Sequence, residues 1–453
     1  MTETSTKRSG FTNSFGVIMA AAGSAVGLGN IWRFPYICGK YGGAAFLMVY
    51  LVFVFLIGMT LLMSEFVIGR RTRRAPVKAY PALDNGKRHW RWIGVIGIAT
   101  CFLILSIYLV ISGWTLNYFW ESLTGRLMHV EAGGFEQHFA DFACSPLRPV
   151  IFLSVFLALS LLVILGGVEK GIEKVSKLLM PFLLVLVLVM CVRSVTLTGA
   201  SQGLRYMFHP DFSLLGWEGV LAALGQALFS LSVGMGAMVV YGSYIPENDN
   251  LLKSSLWITV CDVLIAVLAG VAIFPAVFAM GQNPAGGPGL VYMVLPEVFQ
   301  MFDFGGGLFA VIFFLLLSLA ALTSAISLHE TLTAFLTDGG MQRRPAAVLV
   351  AVAEIVLASA TALSYSGGIL SADLGGRTFF DWMDFVTGTL LPPICALLTI
   401  LFFGWVMSKD AIRDELSNHG TLKVGWFEVY YNFLVRFVAP IALLFVLVKG
   451  IVG

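Results

Sequence analysis

Charge is what this chain has least of. Asp, Glu, Lys and Arg make up 12% of its 453 residues against 58% hydrophobic, and the mean hydropathy is +0.88. A water-soluble domain is about 25% charged, so that scarcity excludes one and places the chain in a bilayer. The net charge of +2, carried in short loops instead of a basic stripe, gives no footprint for a nucleic-acid partner. Six cysteines show neither CxxC spacing nor His-rich company, and most fall in apolar runs where a thiol behaves as a small hydrophobe, so no disulfide or metal is assigned to them. A small-residue cleavage site is also lacking after the polar stretch Met1 to Gly10, which carries Lys7 and Arg8. The first apolar segment is therefore expected to remain in the mature protein. No nucleophile–base pair or metal-ligand cluster stands out, which argues against an enzyme.

Long apolar runs are what the chain does have. A hydrocarbon core about 30 Å thick needs about 20 apolar residues per helix. By that test the sequence reads as about eleven spans, at 15–39, 43–68, 92–119, 149–166, 176–197, 217–242, 252–279, 308–336, 345–364, 383–407 and 427–451. The loop after the second span holds Arg70, Arg71, Arg73, Arg74, Lys78, Lys87, Arg88 and Arg91 against the single acid Asp84. By the positive-inside rule that loop is cytoplasmic. The N-terminus and the loops of Lys170, Lys174, Lys177, Arg343 and Arg344 then fall on the same side, and Gly453 falls outside, as expected for a multi-pass inner-membrane protein.

Two spans carry an interruption. Val26-Gly27-Leu28-Gly29 in span one is echoed by Val233-Gly234-Met235-Gly236 in span six. The two copies must cross in opposite directions, which is the arrangement of an inverted-topology repeat. Close packing through small residues is the plainer reading of one copy; two copies at equivalent depth point to breaks. The chain then divides into a cytoplasmic segment 1–14, a five-span repeat 15–197, an inverted repeat 217–407 and an additional helix 427–451.

A break at mid-membrane frees carbonyls and amides that lipid cannot satisfy, so it persists only around a polar ligand or a water-filled cavity. Free carbonyls suit sodium. Amides at the start of a half-helix suit a carboxylate. Polar residues in the apolar spans collect at the breaks in sequence: Asn30 after the first, Ser230 and Ser232 before the second, and Ala320, Thr323 and Ser324 on one face of span eight. Such hydroxyls also commonly back-bond to the preceding turn. Asp262 in span seven is a carboxylate in hydrocarbon, and such residues face a cavity or an ion. Arg33 either pairs with Asp384 across the outer mouth or snorkels. Glu65 reads as a structural acid bonded to freed backbone, His329 and Glu330 as a packing pair or proton carriers, and Arg193 as snorkelling.

The run Gly23-Ser24-Ala25-Val26-Gly27-Leu28-Gly29-Asn30-Ile31-Trp32-Arg33-Phe34-Pro35 resembles the first-helix signature of the neurotransmitter:sodium symporter family. Tyr50, Glu65 with Gly69-Arg70, Tyr108 with Trp114-Thr115-Leu116, Gly225-Gln226 to Tyr244, Ala320-Ala321-Leu322-Thr323-Ser324, and Asp381 with Asp384 extend the likeness over nearly the whole chain. The resemblance implies an all-α membrane protein with the leucine-transporter fold: two inverted five-helix repeats with helices one and six broken. It implies one sodium at Ala25, Asn30, Ser230 and the substrate carboxylate, and a second among Gly23, Val26, Ala320, Thr323 and Ser324. Substrate would lie on the Gly29 amide and the Tyr108 hydroxyl among Ala25, Leu28, Ser230, Ser232 and Ser324, its side chain against Ile104, Phe229, Met235 and Leu328. Arg33 and Asp384 match an outer gate; Arg8, Ser243, Tyr244 and Asp338 match an inner one. Gly171 and Pro181 match a motif that lets the start of span five unwind.

Two departures stand out. Family members usually place an Asn ligand in span seven, and strict counting back from Pro275 lands on Cys261; a one-residue slip assigns the role to Asp262. A fixed carboxylate there supplies the negative charge that chloride supplies in animal relatives, so chloride-independent transport is expected. Met235 stands where an aromatic often lines the pocket, and the pliable thioether suits a range of apolar or aromatic amino acids. The expected function is sodium-coupled symport of neutral L-amino acids into the cell by alternating access, with no organic cofactor. A non-transporting sensor on the same scaffold is the alternative, and a channel lacks a continuous polar path. The sequence leaves the oligomeric state open.

Overall fold

The computed structural model describes residues 10–452 apart from 85, 284–286, 303, 366 and 373. In lipid every backbone N–H and C=O must find an internal partner, so apolar Leu/Val/Phe/Ala runs settle as helix. Nine of the described helices are long and apolar enough to cross unbroken. They are span two (Ala44–Thr72), three (Arg88–Leu123), four (Arg148–Leu165), five (Val168–Val195), seven (Leu251–Ala279), eight (Gly306–Asp338), nine (Arg343–Leu363), ten (Phe379–Val406) and eleven (Gly425–Gly450). Span one is a pair, Ser14–Ala25 and Gly29–Lys40, bent by 49°. Span six is also a pair, Gly216–Ser230 and Ala237–Gly242, with residues 231–236 outside helix.

Every expected span is present, and the main difference is the start of span five. The charged stretch Val168–Glu173 is a π-helical turn that runs straight into Lys174–Val195. A helix continues past the hydrocarbon boundary wherever its charges have partners, and Glu173 accepts from the Thr12 amide at 2.9 Å and pairs with Lys177 at 2.5 Å. Hydropathy marks the boundary of the apolar stretch, not the end of the helix. The motif of Gly171 and Pro181 is thus wholly helical here.

Contacts between loops sort into two faces. On the face rich in Arg and Lys, Ser14 meets Asp249, Arg73 donates to the Ile245 carbonyl at 2.5 Å, and the Ala75 amide donates to Asp338. On the opposite face Arg148 pairs with Glu121 at 2.7 Å, Tyr206 donates to the Gly39 carbonyl at 2.8 Å, and Gln300 donates to the Val130 carbonyl at 2.9 Å. Each of these contacts joins ends that the alternation of eleven crossings puts on one side. Spans three and eight are the most enclosed, spans four and eleven among the least, so the core lies where the two broken spans pass beside three and eight.

The basic face is held by a buried ion pair. Arg70 donates to Glu415 at 2.6 Å and to the Asp249 carbonyl at 2.6 Å, and both charged side chains are almost inaccessible. Removing one partner of such a pair costs about 3–5 kcal/mol because the other charge is left buried. Exposed pairs such as Arg71 with Asp414, at 3.0 Å, contribute about 0–1 kcal/mol. Glu415→Ala should therefore lower the thermal midpoint of the purified protein by far more than Asp414→Ala; equal shifts would mean that the buried pair anchors nothing.

Candidate substrate and cation site

The first break is made at Val26, whose backbone turns extended (ψ 97°), and at Gly27. A Cβ on Gly27 would lie 2.2 Å from the Ser324 Oγ and 2.8 Å from the Tyr108 hydroxyl. Only a hydrogen fits between the two spans. The second break turns through three residues of positive φ: Ser232 (53°), Gly234 (77°) and Gly236 (75°). Glycine takes that region freely, whereas serine is strained in it. Ser232 is held there because its hydroxyl donates to the Ser24 carbonyl at 3.0 Å, and Ser324 donates to the same carbonyl at 2.9 Å. A carbonyl orphaned at the end of the first half-helix thus ties span one to spans six and eight. Glu65 accepts the freed Gly234 amide at 2.7 Å, the structural part expected of it.

Between the breaks lies an enclosed space of about 20 Å³ lined by Ala25, Gly29, Ile104, Tyr108, Phe229, Ser232, Met235, Ser324 and Leu328. All were expected from the sequence. Ser24 and Gly27 line it too and were not. Leu28 contributes its amide, which donates to the Tyr108 hydroxyl at 3.1 Å. Ser230 turns away toward Asp262. One water needs about 10–15 Å³, so anything larger enters only as Phe229, Met235 and their neighbours part. The Gly29 carbonyl accepts from Gln226 at 2.8 Å; a buried amide in an apolar span was the sequence signal for this residue.

Beside that space sits a carboxylate. Asp262 is fully buried, while Cys261 is partly exposed. Its Oδ1 accepts from Asn30 Nδ2 and from Ser230 Oγ, each at 2.8 Å, and its Oδ2 accepts from Ser230 at 2.8 Å and from Tyr50 at 3.2 Å. Asn30 also donates to the Asp262 carbonyl at 2.9 Å and accepts the Gly27 amide at 3.2 Å. Tyr50, read from the sequence only as part of the family pattern, completes the cluster. Among the described residues these partners are neutral, and the donor set is hard oxygen and amide. A second group of oxygens gathers at span eight: Thr323 Oγ1 lies 2.9 Å from the Ala320 carbonyl and 3.4 Å from that of Val26. Gly23 faces it, since a Cβ there would meet Thr323 Cβ and Ser176 Oγ, both at 3.5 Å. Ser324, expected in both places, has its hydroxyl on Ser24 in the substrate space.

The expected gates differ in state. Arg33 and Asp384 line one cavity of about 90 Å³ with Trp32, Tyr36 and Thr387. Among the described residues they form no direct ion pair; the Arg33 guanidinium lies 4.8 Å over the Phe229 ring, its Nη1 without a hydrogen-bond partner. On the basic face Arg8 lies outside the described residues. The Ser243 carbonyl accepts from Arg73 at 3.1 Å. Tyr244 donates to Glu330 at 2.6 Å, and Glu330 pairs with Arg343 at 2.6 Å. Asp338 holds the Ala75 amide. His329 rests against the Ala347 carbonyl at 3.1 Å and Ser160 at 3.4 Å, so it and Glu330 have packing partners.

Over residues 8–145 and 143–453 the chain matches the sodium:neurotransmitter symporter family. The chain belongs to that family. An uncharacterised sodium-dependent transporter of Bacillus subtilis, YhdH, is 38% identical over 436 residues, 96% of each chain. One of Haemophilus influenzae is 32% identical over 464 residues, the full length of both. Among solved structures MhsT, in complex with L-phenylalanine, is 40% identical with a TM-score of 0.89 over 98% of this chain and 100% of its own. The symporter's two broken helices therefore sit in the frame of a sodium-coupled transporter family and not of an enzyme.

The breaks make a direct prediction. Gly234→Ala combines a φ of 77° with a Cβ 2.5 Å from the Pro392 carbonyl and should cost at least about 1–3 kcal/mol. Gly225, in the helix just before the break, has nothing within 4 Å of its Cβ, and Gly225→Ala should be neutral or stabilise by up to about 1 kcal/mol. Melting curves of the two variants check this; a well-folded Gly234→Ala protein would contradict the geometry.

Proposed function

We propose that this symporter carries neutral, apolar or aromatic L-amino acids into the cell with sodium, by alternating access and without chloride. The observation that carries the reading is Asp262: a carboxylate in mid-membrane, packed against the break of span one, beside the ligand space, with neutral partners only among the described residues. Burying an unpaired carboxylate is costly enough that a cation is its natural complement. Hydroxyl, carbonyl and amide oxygens are the donors a sodium ion takes. One sodium would sit with Ala25, Asn30, Ser230 and Asp262, and a second with Gly23, Val26, Ala320 and Thr323; sodium supplies the charge that draws a substrate carboxylate to the break. The apolar wall of Ile104, Phe229, Met235 and Leu328, the acid-free lining, and the L-phenylalanine held by the 40% identical MhsT support a neutral, apolar substrate.

In this reading the basic face is cytoplasmic, the membrane is the inner membrane, and the halves 15–197 and 217–407 are the repeats that move against each other. Closure brings Arg33 and Asp384 together above Phe229. Opening the other side parts Tyr244, Glu330, Arg343 and Asp338 from their partners. Coupling is the differential affinity of the two states for sodium and substrate, and each sodium entering down the potential contributes about 2.3 kcal/mol per 100 mV.

Labelled L-phenylalanine counterflow in proteoliposomes tests the reading: exchange that needs sodium is expected, and sodium-dependent binding without exchange would instead identify a sensor. Wild-type uptake should be equal in chloride and gluconate, whereas Asp262→Ser should become chloride-dependent. Indifference of the Asp262→Ser variant to chloride would remove the charge argument.

A further inference from the structure

A cavity of about 460 Å³ lies between spans three, eight and nine, outside the transport path, a volume within the ~300–1,000 Å³ usual for small-ligand sites. Its walls are apolar throughout: Ala99 and Phe102 of span three, Leu332 and Phe335 of span eight, and Leu349 and Ala353 of span nine. Ala99 and Ala353 are both exposed. The groove exists because two packed helices present methyl groups where their neighbours carry Leu and Phe.

The groove runs toward the basic face, where Val77 and Leu336 also line it. Three cations stand at that end. Arg91 lies one turn before Val95 on the same stripe of span three as Ala99 and Phe102, its guanidinium 5.2 Å over the exposed ring of Trp92. Lys78 follows Val77, is exposed, and reaches the Asp338 carbonyl two residues beyond Leu336. Arg344 is exposed in the first turn of span nine. The Asp338 carboxylate at this end is taken up by the Ala75 amide.

We infer that the groove holds one acyl chain of an anionic phospholipid whose phosphate lies among Lys78, Arg91 and Arg344. An apolar groove beside the hydrocarbon core is filled by what surrounds it, and basic side chains at its interfacial end select for an acidic headgroup. Trp92 stands at the level where aromatic rings meet headgroups. An amino acid zwitterion finds no polar partner in these walls. Of the three walls, span three also carries Ile104 and Tyr108 and span eight carries Thr323 and Ser324, so a chain wedged here fixes the separation of the helices that frame the substrate space.

Native mass spectrometry of the full chain, released from nanodiscs holding equal phosphatidylglycerol and phosphatidylethanolamine, tests this independently of any transported substrate. One phosphatidylglycerol should be retained about tenfold over phosphatidylethanolamine. Ala99→Phe, a change at an exposed position, should abolish that retention. Val356→Phe, at a 68% exposed position of span nine outside the groove, should leave it intact. The double variant Lys78→Gln, Arg91→Gln should keep a bound lipid but bring the ratio near one. Equal retention of both lipids by the unaltered chain, or full retention by Ala99→Phe, would overturn the inference.

Discussion

Peptide groups that leave a helix in the middle of a bilayer have nowhere to go but to one another, to side chains, or to a polar ligand. The rest of this molecule is arranged around that constraint. The Ser24 carbonyl takes two hydroxyls and the Gly234 amide takes Glu65, while the Gly29 carbonyl, already bonded to the Phe34 amide, takes Gln226 as well. Each freed group brings a partner from a different span, so the breaks become the points at which the helices are tied together. Beside these ties lie the Asp262 carboxylate and the oxygens of Val26, Ala320 and Thr323, the groups to which the proposed function assigns sodium.

The two faces stand in different states. The basic face is closed by side-chain hydrogen bonds and ion pairs, with Phe11 packed on Tyr241 and Tyr244 at ring distances of 5.7 and 5.9 Å. The opposite face is closed over the substrate space by the Phe229 ring under Arg33, and the charges above that ring remain apart. One side thus carries a thin apolar lid and the other a thick polar plug.

Much of this was legible in the chain itself. Hydropathy located all eleven spans to within a few residues except at Val168–Glu173, where paired charges let the helix outrun its apolar stretch. The repeated Val-Gly-x-Gly located both breaks, because a left-handed backbone or a methyl-free contact leaves a glycine signature. Asp262 was legible as a charge in hydrocarbon even though spacing pointed to Cys261, and it is Asp262 that is buried against Asn30, Ser230 and Tyr50. Tyr50, Gln226 and Ser24 were not read as site residues. Tyrosine and serine are ordinary in apolar spans, and their part depends on which helices meet, a tertiary fact with no local trace. Arg33 and Asp384 line one cavity but form no ion pair among the described residues, a distance that sequence does not specify.

Sodium binding by the buried Asp262 cluster is what everything else in the proposed function needs. The most direct measurement is the thermal midpoint of the purified protein, without amino acid, titrated with sodium chloride against choline chloride at constant ionic strength, for the wild type and Asp262→Ala. The midpoint should rise with sodium and saturate in the wild type, and the rise should be largely lost in the variant. Identical curves in sodium and choline for the wild type would contradict it.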